Sequence, residues 1–297
     1  MNPALFYLLG AIFAIPTLHA QSSHPIFEHL TTDNGLSSNK IEAIVQDDEG
    51  YYWIATQNGL NRFDGTNIRV YTHNPGDTTS LTHNNCTAIA KDKTGDIWVA
   101  THHGVSRFRK KSGTFQRIFL HNPIRNHELA NRIYHLAVDS SGNVWIAGNG
   151  LWQYNTRTNA IQLFQSNNLS PDEKPAYAVI SQLQYDTQRH GLWMNAGKGV
   201  IFFDIATSQF YHASYNPHGW KLFDLSRHNE FTLDHADRLW FRDHQSQCLA
   251  SFDINKNEVF ITPIKLTSGI RQMQADEKTG SGSFIGSNAQ PYSTRHR

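Results

Sequence analysis

The segment Asp47-Asp48-Glu49-Gly50-Tyr51-Tyr52-Trp53-Ile54-Ala55-Thr56-Gln57-Asn58-Gly59-Leu60-Asn61-Arg62-Phe63 returns 45 residues later as Asp92-Lys93-Thr94-Gly95-Asp96-Ile97-Trp98-Val99-Ala100-Thr101-His102-His103-Gly104-Val105-Ser106-Arg107-Phe108. Ten of these seventeen positions are identical or conservatively matched. A third copy runs from Asp139 through Gly142, Trp145-Ile146-Ala147 and Gly150-Leu151 to Tyr154. The fourth is looser, keeping Asp186, Gly191, Trp193, Gly199-Val200 and Phe202-Phe203-Asp204, and the fifth keeps Asp234, Trp240 and Phe252-Asp253. Trp53, Trp98, Trp145, Trp193 and Trp240 are thus separated by 45, 47, 48 and 47 residues. A fixed period of this length is the signature of a repeat architecture and takes precedence over any local reading.

Each copy reads as two hairpins. In Asp-x-x-Gly the carboxylate accepts backbone N–H bonds and glycine takes a positive φ, so Gly50, Gly95 and Gly142 close a tight turn. The apolar run before it, Ile41 to Val45 in the first copy and Cys86 to Ala90 in the second, is one strand; the Trp-Ile-Ala-Thr run after it is the next. Thr-x-x-Gly leads into a third strand, Leu60 to Phe63, and Asp64-Gly65 turns it into a fourth, Ile68 to Tyr71. Tryptophan supplies the large area that stacked sheets need between them. A four-stranded unit with a sticky face cannot bury that face alone, and twisted sheets of this period solve the problem radially. The fold expected is all-β, a β-propeller of four-stranded blades, with five complete blades and a partial sixth. The repeated Trp, Gly and Asp residues, and the recurrent Arg62 and Arg107, are expected to pack, turn and pair rather than to catalyse.

Lys and Arg together number 26 against 25 Asp and Glu, so no basic field invites nucleic acid. The one long apolar stretch, Ala4 to Ile15, is too short to span a bilayer. With Leu18-His19-Ala20 behind it, this stretch reads as a cleaved signal peptide over 1–20, leaving the propeller over 21–289 and an irregular tail over 290–297. Export to the periplasm follows. Cys86 and Cys248 fall at different points of the repeat, and Cys86 sits at an apolar strand position, so a disulfide between them is not expected.

The pattern D-x-x-G-x-[IL]-W-[IV]-A-T-x-x-G-[LV]-x-R-F, preceded by Leu36-Ser37-Ser38-Asn39-Lys40-Ile41, resembles the two-component regulator propeller repeat. The opening Phe27-Glu28-His29-Leu30-Thr31-Thr32-Asp33-Asn34-Gly35 is similar to the start of the periplasmic sensor region of Bacteroidetes hybrid two-component histidine kinases. That resemblance covers roughly residues 24 to 288, strongest over the first three repeats. It implies a seven-bladed ring, of which this chain would hold an incomplete part. It also implies an oligosaccharide as ligand, a homodimeric parent receptor, and a kinase outside this chain. Phe284-Ile285-Gly286-Ser287 stands where a sixth Trp-Ile-Ala-Thr belongs, and the following Gly-Leu-x-Arg-Phe strand is not recognisable, so the chain reads as a truncated sensor.

A site, if the repeats hold one, would lie where turn residues vary inside the fixed frame. Thr-x-x-Gly carries Gln57-Asn58 in the first copy and His102-His103 in the second; Asn149 precedes Gly150 in the third, and Lys198 precedes Gly199 in the fourth. His102, His103 and Asn149, with Trp152 as an aromatic platform, are the candidate ligand-binding residues. Adjacent histidines on an extended segment point to opposite faces. Seventeen histidines scattered singly form no helical metal motif, and no G-x-S-x-G elbow is present, so neither catalytic, metal nor cofactor-binding residues are assigned. A sensor module is the reading preferred over a propeller-type carbohydrate-active enzyme or lyase, and over a remnant without function.

Overall fold

The computed structural model describes residues 29–123, 126–166, 177–197, 199–224, 231–243, 246, 248–265, 270–275, 282–286 and 291–293. The segment read as a signal peptide, 1–20, lies outside them. The first blade consists of β1 (Ile41–Gln46), β2 (Tyr52–Thr56), β3 (Gly59–Phe63) and β4 (Ile68–Tyr71). The second holds β5 (Cys86–Lys91), β6 (Ile97–Thr101), β7 (Gly104–Arg109) and β8 (Thr114–Ile118). In the third are β9 (Ile133–Val138), β10 (Val144–Gly148), β11 (Gly150–Tyr154) and β12 (Ile161–Phe164). The fourth comprises β13 (Ile180–Asp186), β14 (Gly191–Ala196), β15 (Gly199–Asp204) and β16 (Gln209–Tyr211), the fifth β17 (Phe231–Leu233), β18 (Arg238–Arg242), β19 (Cys248–Asp253) and β20 (Glu258–Lys265). All five are antiparallel sheets in strict sequential order, and β21 (Ile270–Ala275), β22 (Gly282–Gly286) and β23 (Pro291–Ser293) add a three-stranded sixth. The propeller of five full blades and a partial sixth is therefore the observed architecture. Residues 291–293, expected in an irregular tail, instead pair as the third strand of the sixth sheet, with Phe284 opposite Tyr292. Proline is tolerated there because an edge strand need not donate on both sides.

The innermost strand of each blade packs on that of the next, β1 on β5, β5 on β9, β9 on β13, β13 on β17 and β17 on β21. A register shift recurs near the start of these strands, between Ile41 and Ala43, Cys86 and Ala88, and Ile180 and Gln182, and opposite Ala147 and Gly148 in the third blade. Such bulges add local twist, which strands crowded round an axis require.

The tight turns show what the recurrent aspartate does. Asp92 Oδ1 accepts from the backbone N–H of Thr94 at 2.9 Å and of Asp96 at 3.1 Å, while its Oδ2 accepts from the Trp98 indole at 2.8 Å. The same Asp–Trp bond joins Asp47 to Trp53 at 2.8 Å, Asp139 to Trp145 at 2.9 Å, Asp186 to Trp193 at 3.0 Å and Asp234 to Trp240 at 2.7 Å. A buried indole N–H left without a partner would cost about 1–3 kcal/mol, so one carboxylate both forms the turn and licenses burial of the tryptophan. Gly50, Gly95 and Gly142 supply the left-handed residue at φ between 83° and 88°. In the fourth and fifth blades His190 at φ 49° and Asp237 at φ 59° take over that role, which is why the motif fades there while the turn survives.

The tryptophans of the first three blades are each pressed against the aromatic that ends the motif in the following blade. Trp53 meets Phe108 with ring centroids 4.8 Å apart, Trp98 meets Tyr154 at 4.8 Å, and Trp145 meets Phe203 at 5.6 Å. Trp193 and Phe252 share the core between the fourth and fifth blades. The repeat is thus held polar-side within a blade and apolar-side between blades. Cys86 lies in the core between the first two blades, and both cysteines are free thiols. Burial pushes the Cys86 thiol up to about 12, and only a thiolate attacks an electrophile at an appreciable rate. We expect a maleimide added at pH 7.5 to label Cys248 and to spare Cys86 until denaturant is added. Equal labelling of the two in the folded chain, read by peptide mass spectrometry, would contradict this burial.

Candidate functional site

Sequential antiparallel order places the Asp-x-x-Gly turns and the β3–β4 type hairpins at one end of every blade. The Thr-x-x-Gly turns and the links to the next blade lie at the other. At the first rim the recurrent aspartates are committed to turns and indoles. At the second the frame is also fixed, but with fewer residues. Thr101 Oγ1 donates to the Gly104 carbonyl at 2.9 Å and accepts from the His103 N–H at 3.0 Å, and Thr56 does the same across its own turn. Thr82 closes the assembly by bonding both Thr101 and Ser106 at 3.0 Å, as Ser37 bonds Thr56 at 2.8 Å. In the first blade Asn58, between Thr56 and Gly59, donates its side-chain amide to the Ser37 carbonyl at 3.3 Å, whereas His102 and His103 in the second carry side chains that this frame does not use.

His102 and His103 occupy those two places in the second blade and diverge, as adjacent residues of an extended segment must. His103 packs among rings: His127 at 5.7 Å, Phe119 at 5.9 Å and His83 at 6.5 Å between centroids, with Phe119 and His127 themselves 5.7 Å apart. Phe119 is 45% exposed, an aromatic face presented to solvent beside three imidazoles. His102 is turned toward a different set of neighbours, feeling the charges of Arg132, Glu42 and Lys40 from the adjoining blades. Partial burial, with the nearby cations, holds the His102 imidazole below its ordinary range, and burial together with His102, His103 and His73 does the same to His83. Both therefore favour the neutral ring, able to donate through one nitrogen and accept through the other.

The other expected site residues are not part of this patch. Asn149 is buried; its side-chain amide donates to the Leu129 carbonyl at 2.9 Å and its own carbonyl accepts from Asn122 at 3.2 Å. Trp152, expected as an aromatic platform, is fully buried in the core between the second and third blades, its indole directed at the His121 carbonyl at 3.5 Å. It is a packing residue, because a third strand is covered by neighbouring blades on both faces and alternation does not bring its side chains to water. Lys198 lies outside the described residues. The patch is completed by residues that motif reading passed over, His83, Phe119 and His127, all from inter-blade links. Aligning Leu36-Ser37-Ser38-Asn39 with Leu81-Thr82-His83-Asn84 would have marked His83 as a varying position in a fixed frame. A second exposed aromatic at this rim, Tyr215 at 40% exposure, comes from the link that follows β16. Among the described residues no group of three or more His, Cys, Asp and Glu is placed to hold a metal ion, and no helix is long and apolar enough to cross a membrane.

Fold and repeat together define the class: the chain is a β-propeller, and its residues 35–58, 80–103 and 127–150 match the two component regulator propeller family. Among curated proteins it is similar to histidine kinase P4 of Formosa agariphila, 37% identical over 81 residues that make up 27% of this chain and 6% of the kinase. Among solved structures it is similar to the extracellular domain of BT4673 from B. thetaiotaomicron, with TM-score 0.65 and 18% identity over 86% of this chain and 36% of that one. The extracellular domain of the hybrid two-component system BT3049 from the same organism gives TM-score 0.51 and 19% identity over 87% of this chain and 40% of that one. A catalytically inactive variant of virginiamycin B lyase from Staphylococcus aureus, solved with quinupristin, gives TM-score 0.63 and 15% identity over 85% of this chain and 79% of the lyase. At these identities the structural matches establish the propeller fold alone. The chain spans only a small fraction of the kinase it matches.

Proposed function

We propose that the chain is the ligand-sensing propeller of an exported two-component receptor, facing the periplasm, and that it takes a small oligosaccharide on the Thr-x-x-Gly rim. Binding would pass to a kinase carried elsewhere in a homodimeric receptor. The observation that carries this reading is the patch of Phe119, His83, His103 and His127: an exposed ring flanked by imidazoles, gathered from one Thr-x-x-Gly turn and the inter-blade links beside it. A sugar wants an apolar face to stack on and directed donors and acceptors at its edge, and this patch offers both.

Titration calorimetry of the full chain against a panel of oligosaccharides, with product analysis of the same mixtures, tests the proposal. Saturable binding without turnover is expected. Phe119→Ala and His103→Ala should each weaken it about tenfold, the size of a modest interface anchor, while leaving the melting temperature within a few degrees. Turnover of the glycan would favour the enzyme reading, in which the same imidazoles serve as acid and base. Variants that bind as tightly as the parent would remove the patch from the recognition surface.

A further inference from the structure

The opposite rim holds a second, unrelated feature. Between the first two blades lies a cavity of about 170 Å³, bordered by Trp53, Arg62, Arg69, Tyr71, Glu49 and Lys110 among others. Two polar atoms buried there have no hydrogen-bond partner, Arg62 Nε and the Tyr71 hydroxyl. The next blade shows what Arg62 lacks. Its counterpart Arg107 donates through Nε to Asp96 at 2.9 Å and through Nη2 to Asp92 at 3.2 Å. The first blade keeps Asp47 in place of Asp92, but Tyr51 stands where Asp96 would be. Arg62 is laid flat over the Tyr51 ring, 3.6 Å from its centroid, and among the described residues the ion pair it makes is a long one to Glu49, at 4.0 Å from Nη2.

The acids bordering the cavity are already engaged. Asp47 accepts the Trp53 indole and the backbone of Glu49 and Tyr51, and Glu49 is paired with Lys110 at 3.1 Å. Arg69, stacked 4.9 Å from the Tyr71 ring centroid, brings a further cation. Three cations, Arg62, Arg69 and Lys110, therefore face two carboxylates whose oxygens are already engaged, beside a free hydroxyl and a free guanidinium N–H.

We propose that this cavity is a binding site for a small carboxylate, whose oxygens take the position at Arg62 that Asp96 takes at Arg107 and accept the Tyr71 hydroxyl proton. A guanidinium edge and a planar carboxylate match in geometry, and a charge-assisted bond of this kind is about twice as strong as a neutral one. The volume admits a ligand no larger than one six-membered ring, since a cavity of about 150 Å³ holds benzene. The site is independent of the imidazole patch at the other rim.

Thermal unfolding and calorimetry of the full chain with acetate and benzoate, against chloride at matched ionic strength, test the assignment. A saturable rise in melting temperature with either carboxylate is expected, with sulfate roughly fivefold weaker because a tetrahedral anion meets the guanidinium edge less well. Tyr51→Asp supplies the missing carboxylate from within and should abolish the carboxylate response while raising the melting temperature of the unliganded chain. Arg69→Gln, at an exposed position, keeps the test available should Tyr51→Asp fold poorly, and should weaken binding several-fold. No carboxylate response beyond that of chloride, or one that persists undiminished in Tyr51→Asp, would overturn the proposal. Equal binding of sulfate and acetate would overturn the carboxylate assignment.

Discussion

Replacing Asp92 with alanine should destabilise the chain by about 4 kcal/mol, as read from urea denaturation, because it strikes a buried charge as well as a turn. Asp92 is 4% exposed, and its two oxygens serve two backbone amides, the Trp98 indole and the Arg107 guanidinium. Removing one partner of a buried ion pair typically costs about 3–5 kcal/mol, most of it the burden of the charge left behind. Here Asp96 still holds Arg107 at 2.9 Å, which keeps the expected loss from the upper end of that range. The control is built into the fold. Asp47 makes the same turn and the same indole bond, but Arg62 is stacked on Tyr51 instead of paired with it. Asp47→Ala should therefore cost only about 2 kcal/mol, the price of orphaned hydrogen-bond donors. Equal losses in the two variants would mean that the buried ion pair contributes nothing beyond the turn.

Acid should also weaken the propeller, and His135 on β9 is one cause. Burial holds its imidazole down at about 4 against an ordinary 6.5, opposed only in part by the contact of Nδ1 with the Leu136 carbonyl at 3.2 Å. The folded chain thus binds fewer protons at this site than the unfolded chain does between those two values. Stability is present in full above pH 6.5 and is lost as the pH falls toward 4, by up to about 3 kcal/mol from this group. His83 and His102, also shifted downward, act in the same direction. Urea midpoints between pH 7.5 and 4.5 should fall steadily, and His135→Gln should flatten the slope. A His135→Gln variant with the parent's pH dependence would show that the imidazole is hydrated in the folded state.

The architecture was legible because Asp-x-x-Gly-x-x-Trp is a local arrangement: turn, strand and indole bond all fall within seven residues. What the tryptophan rests on was not, since Phe108, Tyr154 and Phe203 belong to other blades and only stacking reveals the pairing. The same cause explains the error at Trp152. A tryptophan next to a turn asparagine reads as half-exposed on a sheet with one wet face, but Leu151 and Trp152, on opposite faces of β11, are both buried. The histidine patch was half visible. His102 and His103 stood out as unlike residues in a repeated turn, whereas Phe119 and His127 come from links that share no register between copies. The substitution of Tyr51 for an aspartate was visible in the alignment of copies, and its consequence for Arg62 needed coordinates.

The five Asp–Trp bonds place the one polar interaction common to all five blades at a single end of the molecule. Evolution can therefore rewrite the far end, one turn at a time, without renegotiating how the chain folds. New chemical tastes can arise there by drift at positions such as 102 and 103, and the cost of each trial to stability stays small.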